Sequence, residues 1–312
     1  MAWPVGARAQ PKPPPAIGFL TSLSQRAFST QSAAFLQGLK EKGFTEGRDF
    51  TIEYRFAEGR YDRLAEMADE LMRRPLAVLA TSGGTLPARA AKAAARNTPI
   101  VFGTADDPVA AGLVNSLSRP GGNLTGVSFI NGELTAKNLD FIHTLVPSAN
   151  LIAVLINPTN PSADTQLRDA ELAAAAIGVK ILPVKASTEQ QIEAAFTALV
   201  QEHAGALIVE TDPQFFRPAL FAALSARYSV PAIYFFREYV AAGGLISYGA
   251  SLSDSYRQIG IYVARILNGE KPADLPIMQP TRFELVINLS ATKALGLTVP
   301  DKLLVAADEL IE

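Results

Sequence analysis

The strongest constraint on the fold is an alternation of short apolar runs with amphipathic segments that repeats along most of the chain. The apolar runs have the length of strands, and the amphipathic segments carry apolar residues at helical spacing. Five predicted strands alternate with helices up to Ser128, and the same order starts again at Leu151. This alternation predicts parallel sheets with helices on both faces. Two such α/β sheets, joined near residue 129, are the simplest interpretation.

Two segments next to this repeat are predicted with less support from periodicity. Val109–Ser118 is expected to be helical, and it precedes the turn cluster Arg119-Pro120-Gly121-Gly122-Asn123. Lys302–Ile311 is expected to form a closing helix, after a last strand at Phe283–Leu289. The pattern alone does not assign these late elements to either sheet.

Composition excludes several classes of function. The 312 residues carry a net charge of −2, which gives no electrostatic argument for binding nucleic acid or an anionic membrane. No run approaches the roughly 20 apolar residues of a transmembrane helix. The chain contains no cysteine and only two histidines, His143 and His203, so thiol chemistry is excluded and a zinc site is disfavoured. We therefore expect neither a metal nor a cofactor.

Residues 1–15 differ in character from the rest of the chain, because they are rich in proline and have no apolar periodicity. Ala7-Arg8-Ala9 followed by Gln10 fits the small-residue pattern of a signal-peptidase site. The segment is therefore expected to be the remnant of an export signal, which would place the protein in the periplasm. A plain disordered terminus is the alternative.

The run Leu76–Ala95 combines a strand, a Gly-Gly turn and a helix. Its apolar start stops at Thr81-Ser82-Gly83-Gly84-Thr85, and an alanine-rich helical pattern follows at once. Backbone N–H groups at such a turn, together with the helix dipole, favour an anion such as a carboxylate. An ordinary turn with Thr85 as the helix cap is the competing interpretation.

Polar residues follow the predicted strands at several other positions. In open α/β sheets, ligands bind outside the carboxyl ends of the strands, so two sheets that face each other would place these residues around one cleft. Any one of them can also be a simple helix cap, and Asp212 before Pro213 is the clearest example. Besides Ser82 to Thr85, the set comprises Ser22, Ser24, Asp106, Asp107, Asn157, Asn160, Asp212, Tyr234 and Arg237.

Signatures of common enzyme classes are absent from the sequence. It contains no G-x-x-x-x-G-K-[ST], no G-x-S-x-G and no H-E-x-x-H, and no G-x-G-x-x-G follows the first strand. A small-molecule-modifying enzyme on a two-domain α/β scaffold stays the alternative to a binding protein. A ligand-sensing transcription regulator would need a DNA-binding segment of about 50–60 residues before the first strand, and only the short leader precedes Ile17.

Three long runs carry a resemblance to a known family. They are GLKEKGFTEGRDFTIEYRFAEGRYDRLAEMADEL, DDPVAAGLVNSLSRPGGNLTGVS and KPADLPIMQPTRFELVINLSATKALGLTVP. In these runs the chain resembles the tryptophan/tyrosine-type substrate-binding proteins of bacterial ABC transporters. It departs from the better-known members at Asp212-Pro213, where they have Asp-Asn, and at Gly83-Gly84-Thr85, where a Thr-Pro-Ala-Ala run is common.

The resemblance implies a type I periplasmic-binding fold, in which two lobes are joined by three crossovers. We place the crossovers near Ser128–Asn131, Tyr248–Ser251 and Met278–Thr281. The N-terminal lobe would then comprise residues 16–128 with 250–280, and the C-terminal lobe residues 129–249 with 281–312. The implied function is binding of a small ligand, an aromatic or branched amino acid or a related carboxylate, by hinge closure. The implied partner is an ABC permease of the inner membrane, and the protein is expected to be a monomer.

The expected site divides the ligand between the two lobes. The turn from Ser82 to Thr85 would hold a carboxylate, and Asp107 or Asp212 would pair with an ammonium group. Arg237 is an alternative partner of the carboxylate. Tyr234, Tyr248 and Phe129 would flank the side chain. The full set of predicted ligand-binding residues is Ser22, Ser82, Gly83, Gly84, Thr85, Asp107, Asn157, Asp212, Tyr234, Arg237 and Tyr248.

Overall fold

The computed structural model describes residues 13–129 and 134–312. The predicted signal-peptidase site and the part of the first predicted crossover at Ile130 and Asn131 lie outside the described residues. Strands and helices alternate through most of the described chain, and the strands form two separate sheets. Each sheet has helices packed on both faces, so two hydrophobic cores lie in each half of the molecule.

The first sheet has five parallel strands in the order β2-β1-β3-β4-β5. Apart from the edge strand β2, its strands are largely buried, as expected for a parallel sheet covered on both faces. A short 3₁₀ turn, Tyr61–Arg63, precedes the second helix. The elements are β1 (Ala16–Thr21), α1 (Ser29–Glu41), β2 (Thr51–Phe56), α2 (Leu64–Met72), β3 (Leu76–Ser82), α3 (Thr85–Ala94), β4 (Ile100–Thr104) and β5 (Leu124–Ser128).

The second sheet has seven strands in the order β12-β11-β10-β9-β8-β6-β7, and only β10 and β11 pair antiparallel. Its strands are β6 (Leu151–Ile156), β7 (Lys180–Lys185), β8 (Ala206–Val209), β9 (Ala232–Tyr234), β10 (Ile246–Ala250), β11 (Phe283–Asn288) and β12 (Glu309–Ile311). Its helices are α4 (Leu134–Leu145), α5 (Ala163–Ile177), α6 (Glu189–Gln201), α7 (Pro218–Tyr228), α8 (Arg237–Ala241), α10 (Leu289–Ala294) and α11 (Asp301–Ala306). The fold class, two mostly parallel α/β sheets with helices on both faces, is therefore confirmed.

The remaining helix, α9 (Leu252–Leu267), lies between β10 and β11 of the second sheet in the chain but packs on the first sheet. It lies against α1 so closely that a Cβ on Gly260 would stand 2.1 Å from the carbonyl oxygen of Phe35. A Cβ on Gly38 would stand 1.9 Å from the carbonyl oxygen of Arg257. Glycine on both helices therefore permits backbone contact. We call the first sheet with α1, α2, α3 and α9 lobe 1, and the second sheet with the other helices lobe 2.

The chain after α9 runs along lobe 1 before it returns to lobe 2. Met278 bridges β5, since its N–H donates to the carbonyl of Gly126 at 3.0 Å and its carbonyl accepts from the N–H of Ser128 at 2.8 Å. The chain then enters β11, which pairs with β10 in the second sheet. Among the described residues, no helix is long and apolar enough to cross a membrane.

Two sequence-based elements are wrong. Val109–Ser118 contains no regular helix, because the 108–114 segment forms short turns with Gly112 at a φ of +69°, followed by Gly121 and Gly122 at +72° and +62°. The closing helix stops at Ala306, since the next residue adopts extended backbone. Glu309–Ile311 then pairs parallel with β11 and extends the second sheet.

Candidate functional site

A cavity lies between the two lobes, beyond the ends of β1, β3 and β4 in lobe 1 and of β8 and β9 in lobe 2. The volume of this cavity, measured as the space that the centre of a water-sized sphere can occupy, is about 60 Å³. This volume holds several water molecules. Larger openings of about 500 and 360 Å³ adjoin it on two sides, and both are lined by residues of both lobes. Its polar lining is Gln31, Gly83, Gly84, Asp106, Asn160, Thr211 and Asp212, and its main apolar lining is Leu23, Phe129, Phe216, Phe236, Leu252 and Tyr256.

The Gly83-Gly84 turn brings the start of α3 to this cavity. Gly83 has a φ of +78°, and a Cβ there would stand 2.9 Å from the backbone nitrogen of Ser22. Gly84 has a φ of +89° and a ψ of −175°, a conformation open essentially to glycine alone. Gly84 is also the N-cap of α3, so no side chain caps the first N–H groups of this ten-residue helix. The uncapped end favours a negatively charged group.

Asp212 lines the cavity from lobe 2, and its carboxylate is held by donors from both lobes. Asn157 Nδ2 donates to Oδ1 at 3.0 Å, and Asn160 Nδ2 donates to Oδ2 at 2.9 Å. The backbone N–H of Gln214 donates to Oδ1 at 2.8 Å, as a cap of the 3₁₀ turn Pro213–Phe215. The Tyr61 hydroxyl of lobe 1 reaches Oδ1 at 3.3 Å and Oδ2 at 3.2 Å. Asp212 is thus both a helix cap and a contact between the lobes.

Burial is the dominant influence on the pKa values of this pair. It raises the pKa of Asp212, although hydrogen bonds from Asn157, Gln214, Asn160 and Tyr61 lower it. It also raises the pKa of Tyr61, and the neighbouring Asp212 carboxylate adds to this effect. Tyr61 therefore keeps its proton as the hydrogen-bond donor, and the carboxylate depends on its donors to stay charged.

Asp106 lies in the cavity wall of lobe 1, whereas its neighbour Asp107 does not. Asp106 Oδ2 accepts from the hydroxyl of Thr85 and, at 3.4 Å, from that of Thr104. Asp107 is exposed at one outer opening, and its Oδ1 accepts from the N–H groups of Val109 at 2.8 Å and Ala110 at 3.2 Å. The central cavity is therefore lined by Asp106 and not by Asp107, whose carboxylate caps a turn at an outer opening. The role of Asp107 as a ligand contact stays a prediction.

The apolar wall is aromatic and is contributed by both lobes. Phe129 and Tyr256 lie on the lobe 1 side with ring centroids 5.8 Å apart, and Phe216 and Phe236 on the lobe 2 side with centroids 6.4 Å apart. Phe216 and Phe236 also pack against the core of lobe 1. Among the described residues, no lysine or arginine lines the central cavity. The cavity thus offers two carboxylates, one helix start and an aromatic wall.

Three predicted site residues are placed elsewhere. Tyr234 is fully buried in the core of lobe 2, where its ring stacks on Tyr239 at 4.5 Å and its hydroxyl pairs with Ser225. Arg237 makes two 2.8 Å hydrogen bonds to the carboxylate of Glu309. Tyr248 packs edge-on against Phe141 within lobe 2. None of the three lines the cavity, and their role as ligand contacts stays a prediction.

The remaining predicted residues lie behind or beside the cavity. Ser22 lines one outer opening. Ser82 is fully buried and donates to the Thr21 hydroxyl at 3.1 Å. Thr85 and Asn157 orient Asp106 and Asp212, as described above. Of the predicted set, the structure brings Gly83, Gly84 and Asp212 to the cavity wall, and any contact of theirs with a ligand stays a prediction.

Sequence reasoning did not identify Tyr61, Gln31, Phe216, Phe236, Leu252 or Tyr256 as site residues. Asp106 carries a sequence signal, since it is a polar residue just beyond the end of β4, but the predicted ligand-binding set contains its neighbour Asp107 instead. Phe236 lies just beyond the end of β9 and could have been found in the same way, whereas Phe216 follows the 3₁₀ turn Pro213–Phe215 and is separated from the end of β8. Tyr61 and Gln31 carry no local signal, because one lies in a short 3₁₀ turn and the other in an amphipathic helix. Among the described residues, no group of three or more His, Asp or Glu residues could hold a metal ion.

Comparison with known proteins gives the family. The sequence model described as "ABC transporter substrate binding protein" matches residues 16–311. The chain is 24% identical over 283 residues to a tyrosine-binding protein of Clostridioides difficile, covering 90% of this chain and 81% of that protein. A solved conserved domain protein of Vibrio cholerae is 27% identical, with a TM-score of 0.87 over 95% of this chain and 99% of that one.

Two further structures of similar fold carry informative descriptions. An ABC domain from Streptococcus pneumonia in complex with L-Trp is 24% identical, with a TM-score of 0.87 over 96% of this chain and 100% of that one. A ligand-free, open substrate-binding protein of Clostridium difficile is 23% identical, with a TM-score of 0.69 over 96% of this chain and 99% of that one. The family match spans nearly the whole described chain, so this protein belongs to the ABC transporter substrate-binding protein family.

Proposed function

We propose that this protein binds an amino acid with an aromatic or branched side chain in the cavity between its lobes, and delivers it to an ABC importer. The observation that carries the proposal is the composition of the cavity wall. A carboxylate could bind the start of α3, an ammonium group could bind an aspartate, and the aromatic wall could cover the side chain. The tyrosine-binding and L-Trp-bound relatives support this ligand class.

Asp106 is the better partner for the ligand ammonium group. Both oxygens of Asp212 already accept hydrogen bonds from Asn157, Asn160, Gln214 and Tyr61. On Asp106, hydrogen bonds among the described residues reach only Oδ2. A carboxylate oxygen without a donor can still accept from an ammonium group. We assign Asp106 to the ligand and Asp212 to contact between the lobes.

We further propose that the lobes close over the ligand as two units, residues 16–128 with 250–280 and residues 129–249 with 281–312. Direct contacts between the lobes support closure, because Tyr61 donates to Asp212 and Gln214 Nε2 donates to the carbonyl of Gly59 at 3.0 Å. The chain also matches the L-Trp-bound relative with a higher TM-score than the open one, 0.87 against 0.69. The contacts between the lobes and the difference in TM-score both support a closed arrangement of the lobes in this protein.

The remaining parts of the proposal concern the setting of the protein. We infer a periplasmic location, an inner-membrane permease as partner, a monomeric state and the absence of catalysis, and membership of a substrate-binding family supports these inferences. The enzyme alternative has no supporting observation in the cavity, whose described lining contains no histidine, lysine or cysteine. Incubation of the protein with each bound amino acid, followed by mass spectrometry, tests this point, and any conversion to product would contradict it.

Isothermal titration calorimetry on protein freed of bound ligand by unfolding and refolding tests the ligand class. The panel is tyrosine, tryptophan, phenylalanine, leucine, glutamate and lysine. We expect binding of aromatic or branched members and none of glutamate or lysine. Asp106→Asn should weaken that binding by about 10- to 100-fold, since a charged hydrogen-bond partner is lost, and Asp107→Asn is the matched control that leaves affinity unchanged. Binding of none of the panel would refute the proposal.

A further inference from the structure

We propose that Gln31 selects ligands whose side chain carries a hydrogen-bond donor, such as a phenol hydroxyl or an indole N–H, over ligands of the same shape that lack one. This inference rests on the proposed function, because it concerns the side chain of the amino acid in the same cavity. It adds a requirement that the aromatic wall by itself does not impose, since aromatic contact area is nearly the same for tyrosine and phenylalanine.

Gln31 is a buried polar side chain without a visible role in the fold. It lies on α1, it is 3% exposed, and it lines the central cavity. Its Oε1 atom is buried, and no group among the described residues donates a hydrogen bond to it. An unsatisfied buried carbonyl is costly, and few are found in native structures. A group that enters the cavity would remove this cost by donating to Oε1.

The surroundings of Gln31 are apolar. Phe28, the N-cap residue of α1, and Phe35, one turn beyond Gln31 on the helix, are buried in the core of lobe 1. Leu252 and Tyr256 belong to the same core and line the same cavity. Gln31 thus provides an amide group within the apolar part of the wall contributed by lobe 1.

A donor on the ligand side chain fits this position better than an additional charge. The carboxylate and ammonium groups of the ligand have their own partners at the start of α3 and at Asp106. An amide oxygen accepts equally from O–H and N–H, so it serves phenol and indole alike. Sites built to hydrogen-bond a ligand group reject the analogue that lacks it, because the buried partner is then left unpaired. The inferred preference is therefore for tyrosine and tryptophan over phenylalanine.

The test compares ligands that differ only in the donor. Calorimetry is run on tyrosine against phenylalanine, and on tryptophan against benzothienylalanine, in which sulfur replaces the indole N–H. We expect the wild type to prefer the donor-bearing member of at least one pair by about 10- to 100-fold. Gln31→Leu and Gln31→Met should reduce this ratio to within about threefold by weakening the donor-bearing ligand. Gln37→Leu, at an exposed glutamine of the same helix that bonds Glu41, should leave the ratio unchanged.

The outcomes separate this inference from the proposed function. If the wild type binds neither these four compounds nor leucine, the proposed function fails and the role of Gln31 falls with it. If it binds leucine but none of the four, only the role of Gln31 is refuted. If the wild type binds them with ratios near one in both pairs, the role of Gln31 alone is refuted, whether or not the variants fold. An equal loss of affinity for both members of a pair in the Gln31 variants would assign Gln31 to the ligand ammonium group and would also refute the inference.

Discussion

The hydrogen bond between Tyr61 and Asp212 provides a direct handle on closure, because the two residues lie in different lobes. Tyr61→Phe removes the hydroxyl and keeps the ring. The remaining donors to Asp212, namely Asn157, Asn160 and the backbone of Gln214, all belong to lobe 2. The substitution therefore removes a contact that exists only when the lobes are together, and it leaves the fold of each lobe unchanged.

The size of the effect follows from the geometry. A hydrogen bond to a charged group contributes about 1.5–3 kcal/mol, and O–H···O⁻ bonds of that strength are shorter than about 2.7 Å. The Tyr61 hydroxyl lies 3.3 and 3.2 Å from the two oxygens of Asp212. We therefore expect about 1–2 kcal/mol, which corresponds to an affinity about 5- to 30-fold weaker. The loss appears in ligand binding, because only contacts made in the closed state shift the open–closed equilibrium.

The assay is calorimetric titration of the wild type and two variants with the tightest-binding amino acid. Tyr54→Phe is the control, because Tyr54 lies on β2 and stacks on Phe56 within lobe 1, 5.7 Å between centroids. Thermal unfolding of the ligand-free proteins should differ little between the two variants. Equal affinities of Tyr61→Phe and the wild type, or an equal loss in Tyr54→Phe, would refute the assignment of this contact to closure.

Three further substitutions test other parts of the structure. Burial raises the pKa of Glu210 to about 8, so the folded state holds the carboxyl proton more tightly than the unfolded chain does. The free energy of unfolding therefore falls as pH rises from about 4.5 to about 8, by up to ~1.4 kcal/mol per pH unit. Glu210→Gln should flatten the pH dependence of the free energy of unfolding measured with urea. If the variant and the wild type show the same pH dependence, the attribution of this dependence to Glu210 is contradicted. Gly84→Ala should cost about 1–3 kcal/mol of stability and weaken ligand binding, because alanine is strained at this φ and ψ; unchanged melting and binding would contradict a required glycine. Gly260→Ala should destabilise the protein by about 1–3 kcal/mol in chemical denaturation, since its Cβ would meet the Phe35 carbonyl, and full stability would argue against contact between α1 and α9.

The sequence predicts the fold well because hydrophobic periodicity is a local property. The strands of both sheets are visible in the sequence as apolar runs. The Gly83-Gly84 pair between a strand and a helix directly indicates a turn. The apolar residues of Val109–Ser118 predict a helix, but Gly112 adopts a positive φ and the segment forms short turns instead. The last strand, β12, forms by pairing with the edge of β11. This pairing depends on tertiary structure, so it has no local signal in the sequence.

The site is predicted less well, because it depends on which side chain faces the cleft. Tyr234 ends the three-residue strand β9, and it joins Ala232 in the core on one face while Ile233 joins the core on the other. The position of a residue at a strand end does not fix this choice. Tyr61 approaches Asp212 across 151 residues of sequence, and such a contact follows only from the placement of the two lobes.

The most direct test of the central claim is a crystal structure of the protein with the amino acid that binds most tightly. We expect the ligand carboxylate within hydrogen-bond distance of the first N–H groups of α3, the ammonium group at Asp106, and the side chain among Phe129, Phe216, Phe236 and Tyr256. Tyr61 should still contact Asp212 across the closed lobes. A ligand bound in an outer opening or outside the cleft, or one whose carboxylate is held away from the Gly83-Gly84 turn, would contradict the account.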